Sequence, residues 1–273
     1  MGPSRIAIIA GSGRFPFHVA EAARRRGVSV VAVGLKGWVD ASLAGQVDAY
    51  EELAVGELGQ LIRALKRHAV SQAIMAGKVT KAVLLDQGTA FDPETLAILG
   101  RVKDFSVAAL LGAVGERLAQ EGITLLDSST FLRDQLCPAG VLTARGPSPV
   151  EAEDIRVGLQ VGRQLAALDV GQTVIVKRRV VVAVEALEGT DAAIQRAHAL
   201  SGDGLVVVKT AAAAHDRRFD LPVIGPQTIA TLTTSGVSCL AVEAGTTLLL
   251  DREQLLGAAN AAGLCLIGVE PAA

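Results

Sequence analysis

RIAIIAGSGRFPFHVAEAARRRG, residues 5–27, decides the fold. After its first residue RIAIIAG is apolar throughout, as a strand buried on both faces must be. GSGRFP is a glycine-rich turn, and FHVAEAARRRG reads as a helix ended by Gly27. VSVVAVGL follows as a second buried strand, and a short third one lies within VDAYEEL. GELGQLIRALKRHA spaces Leu58, Leu61, Ile62 and Leu65 along one helical face. SQAIMAG is a fourth strand. Apolar strands alternating with helices require a parallel sheet covered on both faces, a Rossmann-like arrangement.

Further along, PETLAILGRV and FSVAALLGAVGERLAQEG read as helices, and DSSTFLRDQLC as a short element leading out. PAGVLTARGPSPVEAED is rich in proline and glycine, which places a linker at 138–148 between domains at 1–137 and 149–273. The second domain opens on a long helix, PVEAEDIRVGLQVGRQLAALD. QTVIVKRRVVVAVEA reads as a hairpin turning at Lys177–Arg178. TDAAIQRAHAL, GPQTIATLTTSG and DREQLLGAANAAG read as helices. GLVVVKT, SCLAVEAG, TTLLL and LCLIGVE read as strands. The fold class is therefore α/β in two domains, the second one mixed.

Composition narrows the function. Half of the 273 residues are hydrophobic, but only 3 % are aromatic, so the apolar content is mostly Ala, Val, Leu and Ile. No apolar run approaches the ~18–20 uncharged residues that span a bilayer. The start lacks the basic region and long apolar core of a secretory signal, so a cytoplasmic location is expected. Net charge is −2 without a long basic block, which argues against nucleic acid as a partner. Three widely spaced cysteines form neither a disulfide framework nor a zinc motif. The four histidines, His18, His68, His198 and His215, show no ligand spacing. Any metal would rest on carboxylates and phosphate oxygens, which favours a magnesium-like ion.

Several loops carry groups suited to phosphate. Gly11, Ser12 and Gly13 follow the first strand, where such a turn directs backbone N–H groups and a helix dipole at an anion. A tight turn with no ligand accounts for the same residues. Pro16 replaces the third glycine of a dinucleotide fingerprint, and Lys36 stands where its acid belongs, which disfavours a nicotinamide reductase. In GKVTK, after the fourth strand, Lys78, Thr80 and Lys81 are of types that contact phosphate, although no P-loop is present. In EALEGTDAAI, Thr190 suits a helix N-cap and Asp191 the first turn. Lys209 closes a valine run, aimed at a site or simply at water. FDLPVIG places Asp220 before a Leu-Pro bend, as a turn residue or for chemistry.

IAIIAGSGRFP, MAGKVTK, LDVGQTVIVKRRVVVAVEALEGTDAAI, VVVKT, FDLPVIGPQTI and VEAGTTLLLDRE together resemble the LpxI-type UDP-2,3-diacylglucosamine pyrophosphohydrolases across essentially the whole chain. The resemblance implies a lipid A biosynthesis enzyme that cleaves UDP-2,3-diacylglucosamine to UMP and 2,3-diacylglucosamine 1-phosphate, lipid X. It implies Mg2+ or another divalent cation, a homodimer, and a ligand site between two α/β domains. The lipid-linked nucleotide sugar would bring the protein into transient contact with the inner membrane surface. The family's catalytic aspartate lies in its D-L-P motif, which here gives Asp220, as base or as metal ligand. Substrate-binding positions carried over are Gly11, Ser12, Gly13, Gly77, Lys78, Val79, Thr80, Thr190, Asp191, Lys209 and Ile224, with Asp191 a second metal candidate. One departure stands out: Val107 and Ala108 occupy positions where the family often has paired acids, with Asp104 nearby. The alternative is a nucleotide-sugar binding protein that does not hydrolyse its ligand.

Overall fold

The structure, a computed structural model, describes residues 4–79, 89–102, 107–210, 216–219 and 221–271. The chain forms two compact units, Met1–Arg133 with Asp216–Leu221, and Asp134–His215 with Pro222–Ala273.

In the first unit β1 (Arg5–Ala10) runs into α1 (Phe15–Arg25), then β2 (Ser29–Leu35), β3 (Ala49–Leu53), α2 (Leu58–Arg67) and β4 (Gln72–Ala76). After α3 (Pro93–Leu99) and α4 (Val107–Gln120), β5 (Thr124–Leu125) closes the sheet in the order β3-β2-β1-β4-β5. Each pairing is parallel. Ile6, Ala7 and Ile8 of β1 are completely buried, which is why that strand carries no polar alternation. The face expected of α2 is the one buried, Leu58, Leu61, Ile62 and Leu65 packing on Ala7, Ile9, Val31 and Val33. No helix among the described residues is long and apolar enough to cross a membrane.

The second unit begins with β6 (Gly140–Val141), then α5 (Pro149–Ala167), β7 (Thr173–Lys177), β8 (Val180–Val184), α6 (Thr190–Ser201) and β9 (Leu205–Lys209). It continues through β10 (Val223–Ile224), α7 (Pro226–Thr234), β11 (Val237–Glu243), β12 (Leu248–Leu249), α8 (Arg252–Ala261) and β13 (Cys265–Val269). Its sheet runs β6-β13-β11-β9-β7-β8. The pairs β13–β11 and β11–β9 are parallel, and the outer pairs are antiparallel, so the sheet is mixed. Leu205 and Val207 face a core shared with α6, α7 and α8, while Val206 and Val208 face α5. Gly158 and Gly162 let α5 approach closely: a Cβ at Gly158 would lie 2.4 Å from Val208 Cγ2.

Three local expectations are corrected. Residues 138–148 are not a free linker: β6 pairs with β13, and Leu266 donates its N–H to the Thr143 hydroxyl at 2.9 Å. The hairpin turns one residue later than expected, at Arg178–Arg179, because Lys177 still pairs with Val180. TTLLL contributes only Leu248–Leu249, paired with β10 outside the main sheet.

A part-buried ion pair closes the start of α5. Arg145 donates from Nη1 and Nη2 to the two carboxylate oxygens of Glu151, at 2.8 and 2.7 Å. The Ser238 hydroxyl and Ser148 N–H donate to the same carboxylate. The Arg145 bonds lead in holding the Glu151 carboxyl down at about 2, from a usual 4.5. A carboxyl lowered by folding stabilises the protein above its unfolded pKa, and that contribution is lost as pH falls through the folded value. The window is therefore pH 4.5 down to about 2, over which roughly 3 kcal/mol is lost. Melting followed across this range is expected to show that decline, and Glu151→Gln, less stable at neutral pH, should show a flatter one.

Candidate active site

In the first unit two of the expected loops meet at the carboxyl edge of the sheet. Ser12 and Lys78 form a reciprocal backbone bridge, each N–H donating to the other's carbonyl at 3.0 Å. The Ser12 hydroxyl also donates to Lys78 O, and Gly11 N–H to Ala76 O. A Cβ at Gly11 would lie 2.8 Å from Lys78 O, and one at Gly77, where φ is +96°, 2.7 Å from the Gly11 carbonyl carbon. These glycines permit the two loops to touch. The amides of Gly11, Ser12 and Lys78 are thus used within the protein. At the start of α1, Pro16 has no N–H and Phe17 N–H returns to Arg14 O. The residues this edge presents to solvent include the exposed Gly13, Arg14, Gly77 and Lys78, with Ser12 and Val79 half-buried.

The segment immediately before Asp220 is fixed to this same edge. The Ser128 hydroxyl lies 2.8 Å from both Met75 O in β4 and Arg218 O, and Ser128 N–H donates to Arg217 O. Arg217 pairs with Asp127 at 3.1 Å, and Arg218 clasps Asp216. Asp220 itself, with Thr80, Lys81, Asp104 and His215, lies outside the described residues.

In the second unit a polar cluster forms where β7, β8 and β9 meet the start of α6. Thr173 stands opposite Lys209 across the β7–β9 pairing. Lys209 Nζ donates to Thr173 Oγ1 and Thr190 Oγ1, each at 3.3 Å. The Thr190 hydroxyl donates to Glu185 Oε1 at 2.7 Å. Burial acts to raise the Glu185 carboxyl, but the Lys209 charge and the Thr173 and Thr190 hydroxyls outweigh it and hold the group below its ordinary range. Thr190 is not the N-cap expected of it. Gly189, at φ +84°, takes that position and frees the Thr190 hydroxyl for Glu185. Asp191 is exposed in the first turn of α6. Ile224 is 2 % exposed, and its carbonyl accepts from Leu250 N–H.

The sequence patterns did not single out Glu185, Thr173 or Ser128. Glu185 had a usable signal: it ends the valine run VVVAV as Lys209 ends LVVV, and the two strands deliver both to one edge. Among the described residues no three His, Cys, Asp or Glu side chains gather as a metal site.

The two units define a two-domain α/β protein with polar loops and basic residues at its sheet edges. Residues 5–135 match the LpxI N-terminal domain and 138–267 the LpxI C-terminal domain, so the chain belongs to the LpxI family. It is 30 % identical over 280 residues to the UDP-2,3-diacylglucosamine pyrophosphatase LpxI of Caulobacter vibrioides, covering 98 % of each chain. Among solved structures it is similar to a CobK precorrin-6A reductase, with 13 % identity, TM-score 0.33 and coverage of 99 % of this chain and 89 % of that one. The biotin carboxylase subunit of a pyruvate carboxylase gives 11 % identity and TM-score 0.27, covering 64 % of this chain and 35 % of that one. Neither structural likeness bears on activity.

Proposed function

We propose that this chain hydrolyses the pyrophosphate bond of UDP-2,3-diacylglucosamine, giving UMP and 2,3-diacylglucosamine 1-phosphate. Water adds to one phosphorus, and the bridging P–O bond breaks toward the other phosphate. Family membership and the Caulobacter relative support the substrate class. The observation that carries the reading is the Lys209–Thr190–Thr173–Glu185 cluster at the N-terminus of α6. A lysine beside a helix N-terminus suits a diphosphate, whose negative charge it neutralises as charge moves to the leaving phosphate. Asp220 is the proposed carboxylate that takes the proton from attacking water.

A divalent cation, magnesium first, belongs to the proposal. Its site would draw on Asp220, Asp191 and the substrate's own oxygens, the hard oxygen donors such an ion takes. A homodimer working in the cytoplasm at the periphery of the inner membrane, through its acylated substrate, completes the reading. The second reading is a nucleotide-sugar binder without turnover.

Incubation with UDP-2,3-diacylglucosamine and magnesium decides between the two. UMP and the 1-phosphate are expected in equal amounts, EDTA is expected to stop their release, and added magnesium to restore it. Oxygen-18 water labels whichever product carries the attacked phosphorus. Substrate that stays bound and intact sinks the hydrolytic reading.

A further inference from the structure

Glu185 is a half-buried carboxylate at the exit of β8, near enough to Lys209 to feel its charge. Its oxygen Oε1 accepts the Thr190 hydroxyl proton at 2.7 Å. An ionised carboxylate only accepts, so it dictates the direction of that hydroxyl. With its proton committed to Glu185, Thr190 Oγ1 turns its lone pairs to Lys209 Nζ, 3.3 Å away. Thr173 Oγ1 receives a second Lys209 N–H at 3.3 Å. Two of the three ammonium donors are thereby directed, and the orientation of the third is set. The backbone beneath is equally constrained. Glu185 N–H donates to Thr173 O at 2.8 Å, and a Cβ at Gly171 would lie 2.0 Å from the Glu185 carbonyl oxygen. Only glycine at 171 lets β8 leave the sheet along this path.

We infer that Glu185 is a positioning residue: by fixing the Thr190 hydroxyl it aims the Lys209 ammonium at the diphosphate of the nucleotide sugar. This rests on the proposed function for the identity of the ligand, and it adds a residue that touches no substrate atom. The consequence is an order of dependence. Lys209 meets the phosphate, while Glu185 and Thr190 act only through Lys209. Glutamine at 185 keeps the shape of the side chain but also offers an N–H, which lets the Thr190 hydroxyl reverse and turn its proton toward Lys209.

A double-mutant cycle on UDP affinity, measured by calorimetry, tests this order. Glu185→Gln is expected to weaken UDP binding by about tenfold, the scale of one charge-assisted hydrogen bond. Lys209→Met is expected to weaken it more. Adding Glu185→Gln to Lys209→Met is expected to change nothing further. Should Glu185→Gln fail to fold, Thr190→Val goes through the same cycle with the same expectation. An equal loss in both backgrounds overturns the assignment, since Glu185 then acts independently of Lys209. So does a wild-type protein that does not bind UDP. UMP release from the acylated substrate is scored separately. A protein that shows the coupling yet releases no UMP keeps Glu185 in this role and removes the hydrolytic reading.

Discussion

Replacing Asp220 with alanine is expected to lower UMP release by about 10²–10⁴-fold, the range of a lost general base, with little change in folding stability or in UDP affinity. Water is a poor nucleophile toward a charged diphosphate, and a carboxylate that takes its proton as the new P–O bond forms lowers that barrier directly. Lys209 acts at a different point, on the charge of the phosphates, so Lys209→Met should raise KM and the UDP dissociation constant as well as lower kcat. The two variants are therefore distinguishable by which constant moves. Stability should hold because the approach to Asp220 is secured by its neighbours. Ser128 and Asp127 hold Arg217 and Arg218 to the first unit, and Asp216 holds Arg218. On the other side Pro222 restricts Leu221 to extended backbone. Asp220→Asn, which keeps the shape, should lose turnover to the same degree. Near-wild-type turnover in either variant, or a loss that merely tracks a lower melting temperature, removes Asp220 from the chemistry.

How much of this was readable from the chain differs by element. Strands β1, β2, β9 and β11 were legible because a strand buried on both faces must be a continuous apolar run, and a run that short, bounded by turn residues, suits little else. The meeting of the loops at 11–13 and 77–79 was legible in part, since parallel strands bring their carboxyl ends to one edge. Their amides facing one another was not, because sequence shows which groups a loop carries and not where they point. The return of 216–219 to the first unit depends on Ser128, some ninety residues distant, and leaves no local mark. Thr190 was misjudged for a similar reason. Gly189 and Thr190 both suit an N-cap, and the Thr190 hydroxyl is drawn to Glu185, which follows β8 and lies outside the helix. The proline-rich stretch at 138–148 has the composition of a linker, yet its two-residue β6 finds an open edge on β13.

The hairpin carries the second large expected effect, and it lies where sequence patterning gave the wrong turn. Arg178 and Arg179 have φ of +50° and +66°, the left-handed conformation that a two-residue turn of this type requires at both positions. Asn-Gly or Asp-Gly is the usual solution, because a side chain in this region costs about 1–2 kcal/mol per residue. Two arginines need compensation, and Asp154 on α5 supplies it. It is only 2 % exposed, and its two oxygens accept the N–H groups of Arg178, at 2.9 Å, and Arg179. Asp154→Ala removes both charge-assisted bonds and is expected to destabilise the protein by roughly 2–4 kcal/mol, some of it recovered by water at the exposed tip. Melting should fall by roughly 5–10 °C. If strain at the turn is what Asp154 offsets, Arg178→Asn with Arg179→Gly should restore about half of the loss in the alanine background and little in the wild type. The open end of the same hairpin presents Thr173 and Glu185, joined by their own backbone bond and by the β7–β9 ladder. UDP affinity in Asp154→Ala should therefore fall less than in Glu185→Gln. An unchanged melting temperature would mean that the β7–β8 ladder alone holds the turn, and a rescue of equal size in both backgrounds would mean that Asp154 does not act through it.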